Sequence, residues 1–209
     1  GLTRRGSGGG GGDSEMEEQF TRMIERDSNN LLTELPAGLT KIGNNAFHLY
    51  GGLSLASLPD GVTHIGSNAF YMCGNLALTA LPDSLQRIEN QAFYDCGKLK
   101  ITSIPAGVTY IGTKAFYDCR GLTEITFRGK PTTIYKDAFS ACNSIKTINV
   151  PWAEGEVANA PWGATSATIN YNQLPFVWNV GEISEATGEI VPTVTAANYT
   201  EFFDVGKYV

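Results

Sequence analysis

Five phenylalanines recur every 23 residues through the middle of the chain. Each follows an alanine, an isoleucine stands five positions earlier, and in the last four copies a cysteine comes three positions later. A period held without insertion over this length predicts one supersecondary unit that is stacked repeatedly, because each copy buries its apolar face against its neighbours. The phenylalanines are Phe47, Phe70, Phe93, Phe116 and Phe139, and the cysteines are Cys73, Cys96, Cys119 and Cys142.

We call each copy a rung and number the rungs along the chain, so that rung 1 contains Phe47 and rung 5 contains Phe139. Rungs 2 to 4 share the pattern L-x-[LI]-x-x-[LI]-P, as in Leu53–Pro59, which predicts a short strand that ends at the proline. A second extended piece is expected over Val62–Ile65. Gly66 and Gly112 follow such pieces, and we expect positive φ there. The predicted fold is a right-handed, β-rich solenoid of about five to six rungs.

The ends of the chain differ from the repeats. Ser14 and Glu17 form a capping box, and an apolar stripe from Met16 to Ile24 predicts an amphipathic helix over residues 14–26. This helix is expected to cap the solenoid, with binding of a partner protein as the alternative. Trp152 and Trp162 are expected to fold over the other end, followed by a strand around Ile169. The predicted segments are a flexible glycine-rich tail (1–13), capping helix and connection (14–30), solenoid (31–150), tryptophan-containing cap (151–174), and a β arm or the start of a truncated β-sandwich module (175–209).

Charge and cysteine usage exclude several classes of protein. The net charge is −6, and the solenoid region carries ten basic and eight acidic side chains, which is too weakly basic to favour nucleic acid as a partner. No apolar run reaches the about 18 residues of a membrane-spanning helix, and no signal peptide is visible. The cysteines follow the period, so we expect small buried residues, with paired disulfides as the alternative.

No reactive constellation is apparent, so we expect no catalytic residue, no metal site and no cofactor. The only histidines, His48 and His64, occupy different columns, and neither C-x-x-C nor H-x-x-x-H spacing occurs. Two pairs of aspartates share columns in neighbouring rungs, Asp60 with Asp83 and Asp95 with Asp118. Such pairs suit calcium or a glycosidase in principle, but solvated turn residues are the favoured interpretation.

Two columns that vary between rungs are the candidate ligand-binding positions. The column after each phenylalanine holds aromatic rings that suit contact with sugar rings or a partner side chain, the alternative being that they cover the Phe–Cys layer. The column before each isoleucine should point outward by alternation, either as a solvated face or with its basic end toward an acidic partner. The first column contributes His48, Tyr71, Tyr94 and Tyr117, and the second contributes Lys41, His64, Arg87 and Tyr110.

Residues 31–150 resemble the BspA-like leucine-rich repeats, as in LPDGVTHIGSNAFYMC and IPAGVTYIGTKAFYDC. The resemblance implies a cell-surface or secreted protein that binds protein or glycan on a host or bacterial surface, without catalysis. We therefore expect a recognition or adhesion module, with possible homo-oligomerisation through the C-terminal β arm and no membrane insertion. The alternative is a structural or receptor-binding component of a phage or prophage tail in a virion. A glycan-processing enzyme is a third option, supported only by the aspartate columns.

Overall fold

The computed structural model describes residues 34–173 and the backbone of Trp178–Asn179 and Thr193–Val194. The chain divides into two compact units, Gly1–Gln173 and Leu174–Val209. In the second unit two strands pair antiparallel, β10 (Trp178–Asn179) with β11 (Thr193–Val194). The predicted glycine-rich tail and capping helix, and the rest of the predicted arm, lie outside the described residues.

The described part of the first unit is a parallel β-solenoid, and its strands form two sheets. The strands of sheet 1 are Lys41–Ile42 (β1), His64–Ile65 (β2), Arg87–Ile88 (β3), Tyr110–Ile111 (β5) and Thr133–Ile134 (β7), and those of sheet 2 are Ser103–Ile104 (β4), Glu124–Phe127 (β6), Thr147–Asn149 (β8) and Thr168–Asn170 (β9). Sheet 1 has the order β1-β2-β3-β5-β7 and sheet 2 has the order β4-β6-β8-β9. The isoleucine column lies on sheet 1, and the parallel register places Ile65 beside Ile88 and Ile88 beside Ile111.

The core consists of the repeating apolar columns. The five phenylalanine rings stack in one line, with centroids 5.0 to 5.3 Å apart and planes within 10° of parallel. Their side chains and those of the isoleucine and alanine columns are buried, and no polar or charged residue of the described part is buried. Burial of a phenylalanine contributes about 1.5–3 kcal/mol, and the buried leucines and isoleucines of the same rung add to it.

The cysteines are buried and free, as expected for small core residues, and they also connect the rungs. The N–H of Phe70 donates to Ala92 O in the next rung (2.8 Å), and the Cys96 thiol donates to Phe70 O (3.0 Å). The same thiol bond recurs for the other three cysteines. The following rung thus supplies a partner to both polar groups of Phe70, and the Phe70 carbonyl also accepts the N–H of Cys73 within its own rung at 3.1 Å.

The leucine-rich strands are only partly confirmed. Leu53–Leu58 and Leu76–Leu81 contain buried leucines but form no strand, and sheet 2 begins at β4. The I-x-F and I-x-V segments of the later rungs do form the strands β6 and β8, as predicted. The early and later rungs differ in their hydrogen bonding at the proline position. Arg128 replaces the proline of earlier rungs and donates its N–H to Ile104 O at 3.0 Å. Proline has no such donor, so the ladder is interrupted where it occurs.

The prediction of positive φ at Gly66 and Gly112 is wrong. Positive φ occurs two residues later, for example at Asn68 (55°) and Lys114 (52°). The glycines are required by close approach instead, because a Cβ built on Gly112 would lie 2.6 Å from the backbone nitrogen of Asn90 and 2.5 Å from its Oδ1. Asn90 Oδ1 accepts the N–H of Thr113 there, so the preceding rung fills the space that a side chain would need.

The C-terminal end of the solenoid is a shortened sixth rung. Val157 stands 23 residues after Ile134, Trp162 stands 23 residues after Phe139, and both are buried. Trp162 O accepts the N–H of Phe139 (2.9 Å), while the Trp152 and Trp162 rings contact Phe127 with centroid distances of 5.3 and 5.8 Å. The strand predicted around Ile169 is present as β9, which pairs with β8.

Candidate ligand-binding columns

The column after the phenylalanines forms a continuous stack that we call the tyrosine ladder (His48, Tyr71, Tyr94 and Tyr117). Ring centroids are 4.9, 4.6 and 4.5 Å apart along it, with interplanar angles of 24°, 17° and 12°. The spacing follows from the fold, because parallel rungs place equivalent residues about 4.8 Å apart. His48 is exposed and the three tyrosines are half-buried, so the ladder is accessible along its length.

The ladder presents ring edges and hydroxyl groups along its length. Each inner ring has a neighbouring ring on both faces, so the faces of Tyr71 and Tyr94 are occupied. The pKa of Tyr94 is raised by burial, by Tyr117 and Tyr71, and by Asp95 and Asp118. The phenol therefore stays protonated at neutral pH and can both donate and accept hydrogen bonds. A partner that lies along the ladder meets a regular row of such groups.

The residues that follow the ladder have positive φ and change character along the solenoid. Leu49 (62°) and Met72 (56°) are exposed apolar side chains, whereas Asp95 (52°) and Asp118 (53°) hold the same position in rungs 3 and 4. Arg120 contacts both carboxylates, at 2.8 Å to Asp118 Oδ2 and 3.2 Å to Asp95 Oδ1. The stacked aspartates are thus bridged by a guanidinium, which offsets their mutual repulsion.

The second candidate column lies on sheet 1. Strand register places Lys41 beside His64, His64 beside Arg87, and Arg87 beside Tyr110, and all four are exposed or half-buried as the alternation predicted. The Arg87 guanidinium lies over the Tyr110 ring, 4.1 Å from its centroid, and its Nε is 2.8 Å from Glu89 Oε1. This arrangement holds the arginine against sheet 1 through a cation–π contact and an ion pair.

The charge of this column depends on pH through His64. The pKa of His64 is lowered from 6.5, first by burial and then by Lys41 and Arg87, with Glu89 acting in the opposite direction. Its Nδ1 is 2.8 Å from Thr63 Oγ1. At neutral pH the column therefore carries the charges of Lys41 and Arg87, and a third positive charge appears only in acid.

The structure thus groups the predicted residues into two columns rather than one cluster. The structure also brings Tyr135 to the second column, where its ring packs edge-on against that of Tyr110 with centroids 5.8 Å apart. The pKa of Tyr110 is raised first by burial and then by Tyr135. Tyr135 stands at the position that Gly66 and Gly112 occupy in rungs 2 and 4. That substitution was the available signal, because a side chain at this position projects toward the neighbouring strand column.

Within residues 34–173, no three side chains that could ligate a metal ion lie close together. Asp83 pairs with Arg128 at 2.7 Å, and Asp60 is exposed. Burial raises the pKa of Cys73 to about 12 and also raises the pKa of Cys96 and Cys119. These thiols stay protonated and serve as hydrogen-bond donors, which makes them poor nucleophiles. Within the same range, no helix is long and apolar enough to cross a bilayer.

Comparisons with known proteins give a match to one family model and a likeness to two solved structures. Residues 32–159 match the family model described as BspA type leucine rich repeat region, in six copies. No curated protein sequence matches the chain. A leucine-rich repeat protein from Bacteroides ovatus ATCC 8483 is 27% identical, with a TM-score of 0.41, over 58% of this chain and 40% of that one. The leucine-rich repeat protein of T. pallidum is 24% identical, with a TM-score of 0.48, over 69% of each chain. The chain thus spans less than half the length of the Bacteroides protein.

Proposed function

The chain belongs to the BspA-type leucine-rich repeat family, and we propose from this that it is a non-enzymatic recognition module that binds protein or glycan at a host or bacterial surface. The family supports a protein-interaction role, since such a solenoid is a scaffold for presenting side chains. The observation that carries the finer proposal is the tyrosine ladder. It is a rigid, accessible row of aromatic residues on an otherwise uniform repeat.

The geometry of the ladder suits recognition for an energetic reason. Binding orders flexible side chains at a cost of about 0.5–1.5 kcal/mol each. Stacking already holds Tyr71, Tyr94 and Tyr117 in place before a ligand arrives, so this cost is largely avoided. Tyrosine also combines a large apolar surface with a hydroxyl, which is why it is enriched among residues that dominate interfaces.

The column Lys41–His64–Arg87–Tyr110 is proposed as a second contact surface. Its cations at neutral pH favour an acidic partner group, and Arg87 is pre-positioned by Tyr110 and Glu89. Exposed charges act over about 10 Å at 0.1 M salt. Binding through this column should therefore weaken as salt is raised, whereas binding through the ladder should change little. The same proposal places the protein on a cell surface or in secreted form.

The test is binding to immobilised glycans, mucin and fibronectin by the wild type and two triple variants. Replacing Tyr71, Tyr94 and Tyr117 by phenylalanine keeps the stack and removes the hydroxyls, whereas replacing all three by alanine removes both. The comparison variant carries Thr126→Ala and Thr147→Ala on sheet 2. We expect at least tenfold weaker binding for the alanine variant, an intermediate loss for the phenylalanine variant, and no loss for the comparison variant. Unchanged binding by a folded alanine variant would refute the role of the ladder.

A further inference from the structure

Two exposed apolar side chains lie next to each other beside the first rungs of the tyrosine ladder, and we call them the Leu–Met patch (Leu49 and Met72). They are 59% and 42% exposed, and among the residues that the structure describes only Tyr135 is another large apolar side chain with such exposure. The N–H of Leu49 donates to Tyr71 O at 2.8 Å, which fixes the two positions in adjacent rungs. The patch is therefore held in place by the solenoid itself.

The fold of the chain alone does not account for leucine and methionine at these positions. Both have positive φ, 62° at Leu49 and 56° at Met72, and this conformation costs energy in most residues other than glycine, asparagine and aspartate. Rungs 3 and 4 have Asp95 and Asp118 at the same position of the column. Because both apolar side chains remain exposed to water, burial does not offset this cost. Such outliers indicate a function, which here is contact with a partner.

The column changes from apolar to acidic directly after Met72. Arg120 donates to Asp118 through two bonds, from Nε to Oδ1 at 2.9 Å and from Nη2 to Oδ2 at 2.8 Å, but it contacts Asp95 only at Oδ1, at 3.2 Å. Within residues 34–173 no other cation or hydrogen-bond donor contacts the Asp95 carboxylate. Two carboxylates share one guanidinium, so this group has one negative charge in excess. A partner that covers the Leu–Met patch therefore meets an acidic group one rung further on, which favours a lysine or arginine there.

The spacing of these groups distinguishes a helical partner from an extended one. Equivalent residues of parallel rungs lie about 4.8 Å apart, so Leu49 and Asp95 are separated by about 9.6 Å. Positions i, i+4 and i+7 of an α-helix lie on one face and span about 10.5 Å along its axis. Three side chains on one face of a β-strand span about 13.6 Å. A helix parallel to the solenoid axis thus matches the column within about 1 Å, whereas a strand differs from it by about 4 Å.

We propose that the Leu–Met patch binds an amphipathic α-helix of a partner protein. Apolar side chains at positions i and i+4 of that helix cover Leu49 and Met72, and a lysine or arginine at i+7 pairs with Asp95. A phospholipid surface would also cover the apolar side chains, but it would bring phosphate groups to Asp95, which that carboxylate repels. The inference rests on the proposed recognition function and names the class of partner and the place where it binds.

The experiment measures the fluorescence anisotropy of two labelled helical peptides that are titrated with the full chain. The first is an alanine-based peptide with leucine at i and i+4 and arginine at i+7, and the second has the same composition with these residues at i, i+2 and i+4. We expect saturable binding of the first peptide and at least tenfold weaker binding of the second. Met72→Asp gives rung 2 the residue of rungs 3 and 4, so it should remain folded and weaken binding of the first peptide at least tenfold.

Two further variants separate apolar contact from charge. Ala141→Asp is the matched control, because it adds the same charge to the same column in rung 5, outside the patch, and should change binding less than twofold. Asp95→Asn should weaken binding about fivefold at low salt and less at high salt, since exposed charges are screened. Replacing the arginine of the peptide by glutamine should remove the effect of Asp95→Asn. Urea denaturation of each variant establishes that it is folded.

The outcomes separate this inference from the proposed function. If a folded Met72→Asp variant binds the first peptide as the wild type does, the patch is not the site. If neither peptide binds while the wild type still binds glycans, mucin or fibronectin, the helix proposal fails and the recognition function stands. Sedimentation of the chain with phosphatidylcholine–phosphatidylglycerol vesicles, abolished by Met72→Asp, would identify a lipid surface. A dimer in light scattering that Met72→Asp dissociates would identify a second copy of the chain, and either result would overturn the helix assignment.

Discussion

Replacing Tyr94 by alanine should destabilise the solenoid about twice as much as replacing Tyr117. Tyr94 stacks on Tyr71 at 4.6 Å and on Tyr117 at 4.5 Å, whereas Tyr117 has one ring neighbour within the described residues. Each aromatic pair contributes about 0.5–1.5 kcal/mol beyond burial. Tyr94→Ala therefore costs about 1–3 kcal/mol from lost stacking, and Tyr117→Ala costs about half of that.

The assay is urea denaturation followed by circular dichroism and intrinsic fluorescence, with Tyr94→Phe as the matched control. Phenylalanine keeps both ring contacts, so this variant should unfold close to the wild type. A loss for Tyr94→Ala no larger than that for Tyr117→Ala would contradict an additive contribution from each stacked pair. The same variants then separate the two roles of the ladder, because a purely structural role predicts that Tyr94→Phe changes neither stability nor ligand binding.

Three further predictions concern positions outside the ladder. Gly112→Ala should lower the free energy of unfolding by about 1–3 kcal/mol through overlap with the preceding rung, while Gly97→Ala, whose Cβ meets nothing within 4 Å, should be nearly neutral in the same urea titration. Because the pKa of folded His64 lies below 6.5, the unfolded chain protonates first, so stability should fall as pH drops below 6.5, and His64→Gln should reduce this dependence in pH-resolved melting curves. Cys119, buried and with a raised pKa, should resist iodoacetamide at pH 8 until urea unfolds the chain, and rapid native labelling would contradict this.

The inner columns could be predicted from sequence because they depend on one repeated environment. Ile65, Ala69, Phe70 and Cys73 all occupy positions that recur with the period, and all are buried in the structure. Parallel stacking of similar rungs then implies that equivalent residues of neighbouring rungs lie side by side. The stacking of Phe70 on Phe93 at 5.2 Å follows directly from that rule.

Features that depend on contacts between different columns, including contacts between different rungs, could not be predicted in the same way. Gly112 is constrained by Asn90 of the rung before it. Rung 3 has Glu89 at the equivalent position, and there the preceding rung has Ser67 in place of the asparagine. Arg120 bridges carboxylates two and 25 residues away, and Arg128 reaches Asp83 over 45 residues. These contacts join different columns, and a motif that describes a single rung cannot predict them.

Function in this architecture is separable from folding, and the tyrosine ladder illustrates why. Each rung of a solenoid contacts mainly its neighbours, so stability is close to a sum over rungs and their interfaces. Tyr117 of rung 4 and Ser140 of rung 5 occupy the same column outside the Phe–Cys layer, and exchanging one for the other leaves the buried contacts of Phe139 and Phe116 in place. The outer columns can therefore change the chemical groups that they present, while the inner columns keep the chain folded. A ligand bound at the Tyr117 end of the ladder should accordingly protect the amides of rungs 3 to 5 from hydrogen exchange and leave rung 1 unaffected.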